Sequence, residues 1–136
     1  MSLPQWSLDI DGPVLDLPTL FSGAARPSEV ILDIGFGGGE GLIEMAAARP
    51  EECIIGVEVH TPGVAKVVEA VEAHGWQHVR VVVADVLDFQ HRIPPASLAG
   101  IRVWFPDPWI KNKQRHRRLG AHALRAHQGV ALAGPP

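Results

Sequence analysis

Cysteine occurs only once in the 136 residues, at Cys53. One thiol cannot build an internal disulfide framework and leaves no sulfur cluster for zinc, so Cys53 reads as a small buried hydrophobe. No apolar run approaches the roughly 20 residues of a membrane span. Met1 to Asp11 carries neither a basic head nor an apolar signal core. The seven histidines offer no i, i+4 pair with a carboxylate partner, so no metal site is expected. With 46% apolar and 20% charged residues, the expectation is one cytoplasmic globular domain.

Acidic residues are also missing from the C-terminal end. All 15 acids and six of the 12 basic residues fall within residues 1–107, a net charge of −9; residues 108–136 carry the other six bases, a net +6. Those six are Lys111, Lys113, Arg115, Arg117, Arg118 and Arg125. A solvated helix face normally mixes signs, whereas a one-sign segment is a candidate footprint for phosphates.

Residues 1–29 are rich in Pro, Gly, Asp and Ser, with scattered anchors at Trp6, Leu15, Leu17 and Leu20-Phe21. They read as an irregular lead-in packed on the domain. Glu29 to Ile34 is a strand with the aliphatic content of a parallel strand covered on both faces. Gly35 to Gly41 follows, then a helical pattern begins at Leu42 and is closed by Pro50. Glu52 to Glu58 is a second strand. Thr61 is placed as an N-cap, Pro62 at the first helical position and Gly75 at the stop. Val64, Val67, Val68 and Val71 form one apolar stripe between them. A third strand runs from Val79 to Ala84, residues 87–99 are less regular with Phe89 and Ile93 as anchors, and a fourth strand spans Ile101 to Phe105. Strands alternating with helices imply an α/β fold, a parallel sheet with helices on both faces. Gly35–Gly39, Glu58, Asp85 and Asp107 each follow a strand, so topology gathers them at the carboxyl edge.

Gly35, Gly37 and Gly39 are spaced so that the backbone can turn sharply and approach a ligand. A dinucleotide fingerprint needs a further glycine where Glu40 stands, and that acid would repel a pyrophosphate. Asp33 adds a second carboxylate. Glu58, 19 residues past Gly39, is placed to accept bonds from ribose hydroxyls, and Asp85 could accept from an adenine amino group or fix its loop. S-adenosylmethionine suits this set: it has ribose and adenine, no phosphate, and an ammonium for Asp33. His60 lies near the ribose position or serves structurally.

In Phe105-Pro106-Asp107-Pro108-Trp109-Ile110-Lys111, two prolines restrict Asp107, and the segment reads either as a surface turn or as an aimed carboxylate. Pro108-Trp109 also suggests the D-P-P-[YFW] loop of amino-group methyltransferases, but it has one proline where that loop has two, and a Lys-rich run follows. Together with Asp33-Ile34-Gly35-Phe36-Gly37-Gly38-Gly39-Glu40 and Gly56-Val57-Glu58-Val59-His60, the segment resembles the bacterial tRNA (guanine-N7)-methyltransferase family. The resemblance runs from about Val30 to Leu119. It implies a class I methyltransferase (Rossmann-like) fold, S-adenosylmethionine as cofactor and tRNA as substrate. By the same resemblance Asp33, Glu58, Asp85 and Asp107 hold the cofactor, joining Gly35, Gly37 and Gly39 of the glycine loop, and Asp107 is catalytic. Lys111, with Lys113, Arg115, Arg117 and Arg118 behind it, meets RNA. The family usually has Glu at the position of Asp33, and a Lys-Arg-His-type run after Lys111. Trp109 either stacks on a base or packs beneath the loop.

These readings divide the chain into the lead-in at 1–29, a cofactor-binding core at 30–119 and an atypical tail at 120–136. The family continues for three more strands, of which the tail could supply one short strand between Gly129 and Ala133. The strand leading to Asp107 is then expected at a poorly covered sheet edge. Two alternatives follow: a shortened, inactive chain keeping a partial cofactor site, and an NAD-type Rossmann module.

Overall fold

β-Branched runs become the strands their composition implies. The computed structural model describes residues 6–104 and 132–133. Val30–Ile34 (β1), Cys53–Glu58 (β2), Val79–Val83 (β3), Leu98–Val103 (β4) and Leu132–Ala133 (β5) form one sheet in the order β3-β2-β1-β4-β5. Every pairing is parallel. The helices are Leu17–Leu20 (α1), Glu40–Ala48 (α2), Thr61–His74 (α3) and Val86–Phe89 (α4), the last running into a 3-10 turn at Gln90–Arg92.

Two cores sandwich the sheet. Leu42, Met45 and Ala46 of α2 join Val64, Val67, Val68 and Val71 of α3 on one face. Leu17, Phe21, Val86, Phe89 and Ile93 pack on the other against Leu32, Ile34, Ile55, Val57 and Ile101. Cys53 is fully buried, its thiol donates to the Arg26 carbonyl at 3.3 Å, and burial pushes its pKa up to about 11. It packs as the small hydrophobe expected.

Several boundaries differ from the sequence reading. β4 starts at Leu98, three residues earlier than expected, and shifts register against β1 between Val30 and Ile31. Its expected end at Phe105 lies outside the described residues. α3 is capped at His60, not Thr61, with no side-chain cap. The His60 N–H is instead taken by the Glu58 carboxylate at 2.9 Å, which turns the chain into the helix one residue early. Beside β4, the described residues supply the two-residue β5, which pairs with it at Ile101 and Arg102 and so covers part of its outer edge. That short strand lies within the Gly129–Ala133 segment.

The lead-in is more ordered than its composition suggests. Asp16 caps α1, its carboxylate accepting from the Thr19 N–H at 3.4 Å. Leu8 N–H donates to Val81 at 2.7 Å, and Val81 N–H donates to Trp6 at 2.8 Å. These residues cover the outer edge of β3, which would otherwise expose unpaired backbone groups.

Candidate functional site

The carboxyl ends of β1 and β2 meet at the glycine loop, with the end of β3 on the far side of β2. Gly35, Gly37 and Gly39 have φ of 75°, 58° and 92°, in the left-handed region where a side chain would strain the backbone. The loop starts with Gly35 N–H donating to the Val57 carbonyl at 2.8 Å and closes with Gly39 N–H donating to Phe36 at 3.0 Å. Ahead of Gly37 is open space: a Cβ there would meet nothing within 4 Å.

Glu58 holds the loop in place. Its Oε1 accepts the Gly37 N–H at 2.8 Å, and its Oε2 accepts the N–H groups of Val59 and His60 at 3.0 and 2.9 Å. A carboxylate at the end of β2 thus fixes the apex of the turn that follows β1. A diol reaching Glu58 would share the carboxylate with these donors. Asp85 does structural work at the end of β3, where its Oδ1 accepts the Leu87 N–H at 2.9 Å and caps α4.

Asp33 lies beneath the loop and is fully buried. Its Oδ1 accepts the indole N–H of Trp104 at 2.7 Å, whereas Oδ2 has no hydrogen-bond partner among the described residues. Burial pushes the carboxyl up to about 7, partly offset by the Trp104 bond and by Arg102, while Glu58 raises it further. An orphaned, buried acceptor carries a desolvation cost that a cationic donor would relieve. Glu40, at the first turn of α2, meets Lys66 of α3 at 2.6 Å. The bond to Lys66 holds its carboxyl below the usual range. The acid at the mouth of the loop is therefore paired.

Asp33, Gly35, Gly37, Gly39 and Glu58 form one connected group, with Asp85 at the neighbouring strand end. Asp107, Lys111, Lys113, Arg115, Arg117 and Arg118 lie outside the described residues, as does Trp109. Among the described residues no group of three or more His, Cys, Asp or Glu side chains could hold a metal ion. No helix among them is long and apolar enough to cross a membrane.

Three contributors escape the sequence reading. Trp104 is hidden in an apolar run and reads as one more strand residue. Lys66 sits on a helix whose valine stripe draws attention elsewhere. Gly63 packs directly under the loop, and an isolated glycine in a helical pattern was the available signal of a close approach.

A family model described as "Putative methyltransferase" matches residues 27–132, extending past Leu119. The tRNA (guanine-N(7)-)-methyltransferase of Streptomyces avermitilis is 46% identical over 117 residues, 85% of this chain and 39% of that protein. The protein of the same name from Aeromonas hydrophila is 40% identical over 134 residues, 96% of this chain and 55% of that protein. The chain thus spans about half the length, or less, of these relatives. Among solved structures, PKMT2 from Rickettsia typhi in complex with AdoHcy shares the fold, with a TM-score of 0.58 at 18% identity. The match covers 96% of this chain and 25% of that one.

Proposed function

The chain belongs to this methyltransferase family, and we propose that it transfers a methyl group from S-adenosylmethionine to N7 of a guanine in tRNA. The observation that carries the reading is the glycine loop pinned by Glu58 over a buried acid with an unfilled acceptor. That arrangement suits a ligand with an ammonium and hydroxyl groups. It does not suit a pyrophosphate, because the loop is flanked by Asp33, Glu40 and Glu58 and the described residues bring only Lys66 to Glu40.

In this reading Asp33, Gly35, Gly37, Gly39, Glu58, Asp85 and Asp107 hold the cofactor. When bound, S-adenosylmethionine supplies a methyl group on a positively charged sulfur. Asp33 would meet the ammonium, and Glu58 the ribose hydroxyls alongside its backbone donors. The open space before Gly37 lets a ligand approach the backbone closely. Asp85 would contact adenine while keeping its cap.

Guanine N7 carries an in-plane lone pair and no proton, so no base is needed before attack. The protein's task is then in-line positioning and stabilisation of the positive charge that develops on the purine. Asp107 is suited to both, accepting from the guanine edge and favouring that charge. Lys111, Lys113, Arg115, Arg117 and Arg118 would grip the RNA backbone, with affinity falling as salt rises.

The test is transfer of a labelled methyl group to unmodified tRNA, with the product mapped to guanine N7. Asp107→Ala should abolish transfer while leaving the thermal transition in place. Cofactor binding without transfer would reduce the reading to a half-site that does not methylate RNA. Binding of NAD in place of S-adenosylmethionine would overturn it.

A further inference from the structure

Trp104 is the last described residue before Phe105–Lys111, and three contacts fix it. Its backbone N–H donates to the Ile34 carbonyl at 3.0 Å, extending the β1–β4 alignment one residue beyond the strand. Its ring lies against α2 so closely that a Cβ on Gly41 would stand 2.9 Å from the indole. The Arg102 guanidinium lies over the ring at 4.7 Å from the centroid. The indole therefore reaches Asp33 from a held position, bridging residues 71 apart in sequence. It also lines a groove of about 300 Å³ with Gly41, Met45 and Arg102, so a smaller ring fits the site without a clash.

A carboxylate with one oxygen bound and one unbound has its orientation set by the bound one. We propose that Trp104 is the positioning residue for Asp33: its indole N–H occupies Oδ1 so that Oδ2 remains the acceptor for the cofactor's ammonium. The proposal rests on the cofactor reading above. Trp104 touches no reacting atom in this scheme and acts through Asp33.

The bond favours the ionised acid, because an N–H donor stabilises carboxylate over carboxyl. Arg102 from β4 works in the same direction, and Glu58 from β2 opposes it. From α2, Gly41 meets the indole and Met45 the Arg102 guanidinium, while Glu40 is turned to Lys66. Removing the indole N–H then moves Asp33 toward its neutral form at physiological pH, where it cannot pair with an ammonium.

The test has a ligand-free arm and a binding arm, both on the full chain. In the first, the indole N–H resonance of Trp104, identified by its loss in Trp104→Phe, is followed across pH. It should titrate near neutrality and become flat in Asp33→Asn; a flat response in the unsubstituted chain overturns the coupling. In the second, S-adenosylhomocysteine binding is measured calorimetrically at several pH values. Trp104→Phe should bind about fivefold more weakly near neutral pH if its Asp33 titration rises by one unit, and recover toward the unsubstituted chain in alkali. Equal weakening at every pH overturns the positioning role and leaves only a packing one. A titrating indole in an unsubstituted chain that fails to bind the ligand overturns the cofactor reading and leaves the Trp104–Asp33 pair standing.

Discussion

The Cα of Gly63 faces the Gly37 carbonyl so closely that a Cβ would stand 1.6 Å from its oxygen and 2.8 Å from its carbon. The first turn of α3 is thereby pressed against the apex of the loop that follows β1. Both obstructing atoms are backbone, so no rotamer change relieves the clash. Alanine in a helix is worth about 1 kcal/mol over glycine, but overpacking of this kind costs about 1–3 kcal/mol and here must also displace the loop. Gly63→Ala should therefore lower stability in urea despite its better helix propensity. It should weaken S-adenosylhomocysteine binding beyond what the stability loss accounts for. Unchanged binding would show that the loop does not need this contact.

Glu58→Gln tests the loop from its other side. The three hydrogen bonds described for Glu58 all come from backbone N–H donors. A glutamine must turn its NH2 group toward one side of that set, setting donor against donor. The expected cost is about 1–3 kcal/mol, the range for a buried group left unsatisfied. Denaturant titration checks it, and a loss under 0.5 kcal/mol would mean that these bonds hold the loop only weakly.

The parts of the site legible in sequence were those that local pattern determines. The valine stripe from Val64 to Val71 repeats with the helix period, and the aliphatic runs end where the glycines and acids begin. Glu58 was legible as an acid at a strand end, but its grip on Gly37 was not, because a loop donor is invisible until two strands are in register. The same holds for Trp104, which follows β4 while its partner Asp33 lies on β1. Trp6 and Leu8 dock on Val81 through backbone bonds that no side-chain pattern announces. Asp16 before Leu17-Pro18 did carry a helix-start signal, and only its brevity made it easy to miss.

Asp33 makes stability depend on pH with a definite sign. Its carboxyl is raised from 3.8 to about 7 in the folded chain, so between those values the folded state holds a proton that the unfolded state has released. The contribution is fully present below pH 3.8 and is lost as pH rises through about 7. The ceiling is on the order of 4 kcal/mol, from about 1.4 kcal/mol per unit. Asp33→Asn keeps an oxygen for Trp104 and removes the charge. Its stability relative to the unsubstituted chain should therefore rise between pH 5 and pH 8. A difference constant across that range would show that Asp33 titrates normally.

Arg80 gives the lead-in a mechanical role that can be measured. From β3 its guanidinium donates to the carbonyls of Gln77 at 3.3 Å, Val79 at 2.8 Å and Leu20 at 3.1 Å. It lies over the rings of Trp6 and Phe21 at 5.2 and 5.3 Å. One planar fork therefore ties both flanks of the lead-in to the edge strand. Arg80→Met keeps an apolar stem but leaves those carbonyls without the donor, at a cost of about 1–3 kcal/mol. Arg80→Lys should rescue little, because a single ammonium cannot reproduce the fork or the flat stacking surface. Both variants should speed amide exchange at Leu8 and Val81 more than in β1, to which Arg80 makes no hydrogen bond. If exchange rises equally in β1, Arg80 supports the whole fold and not the lead-in in particular.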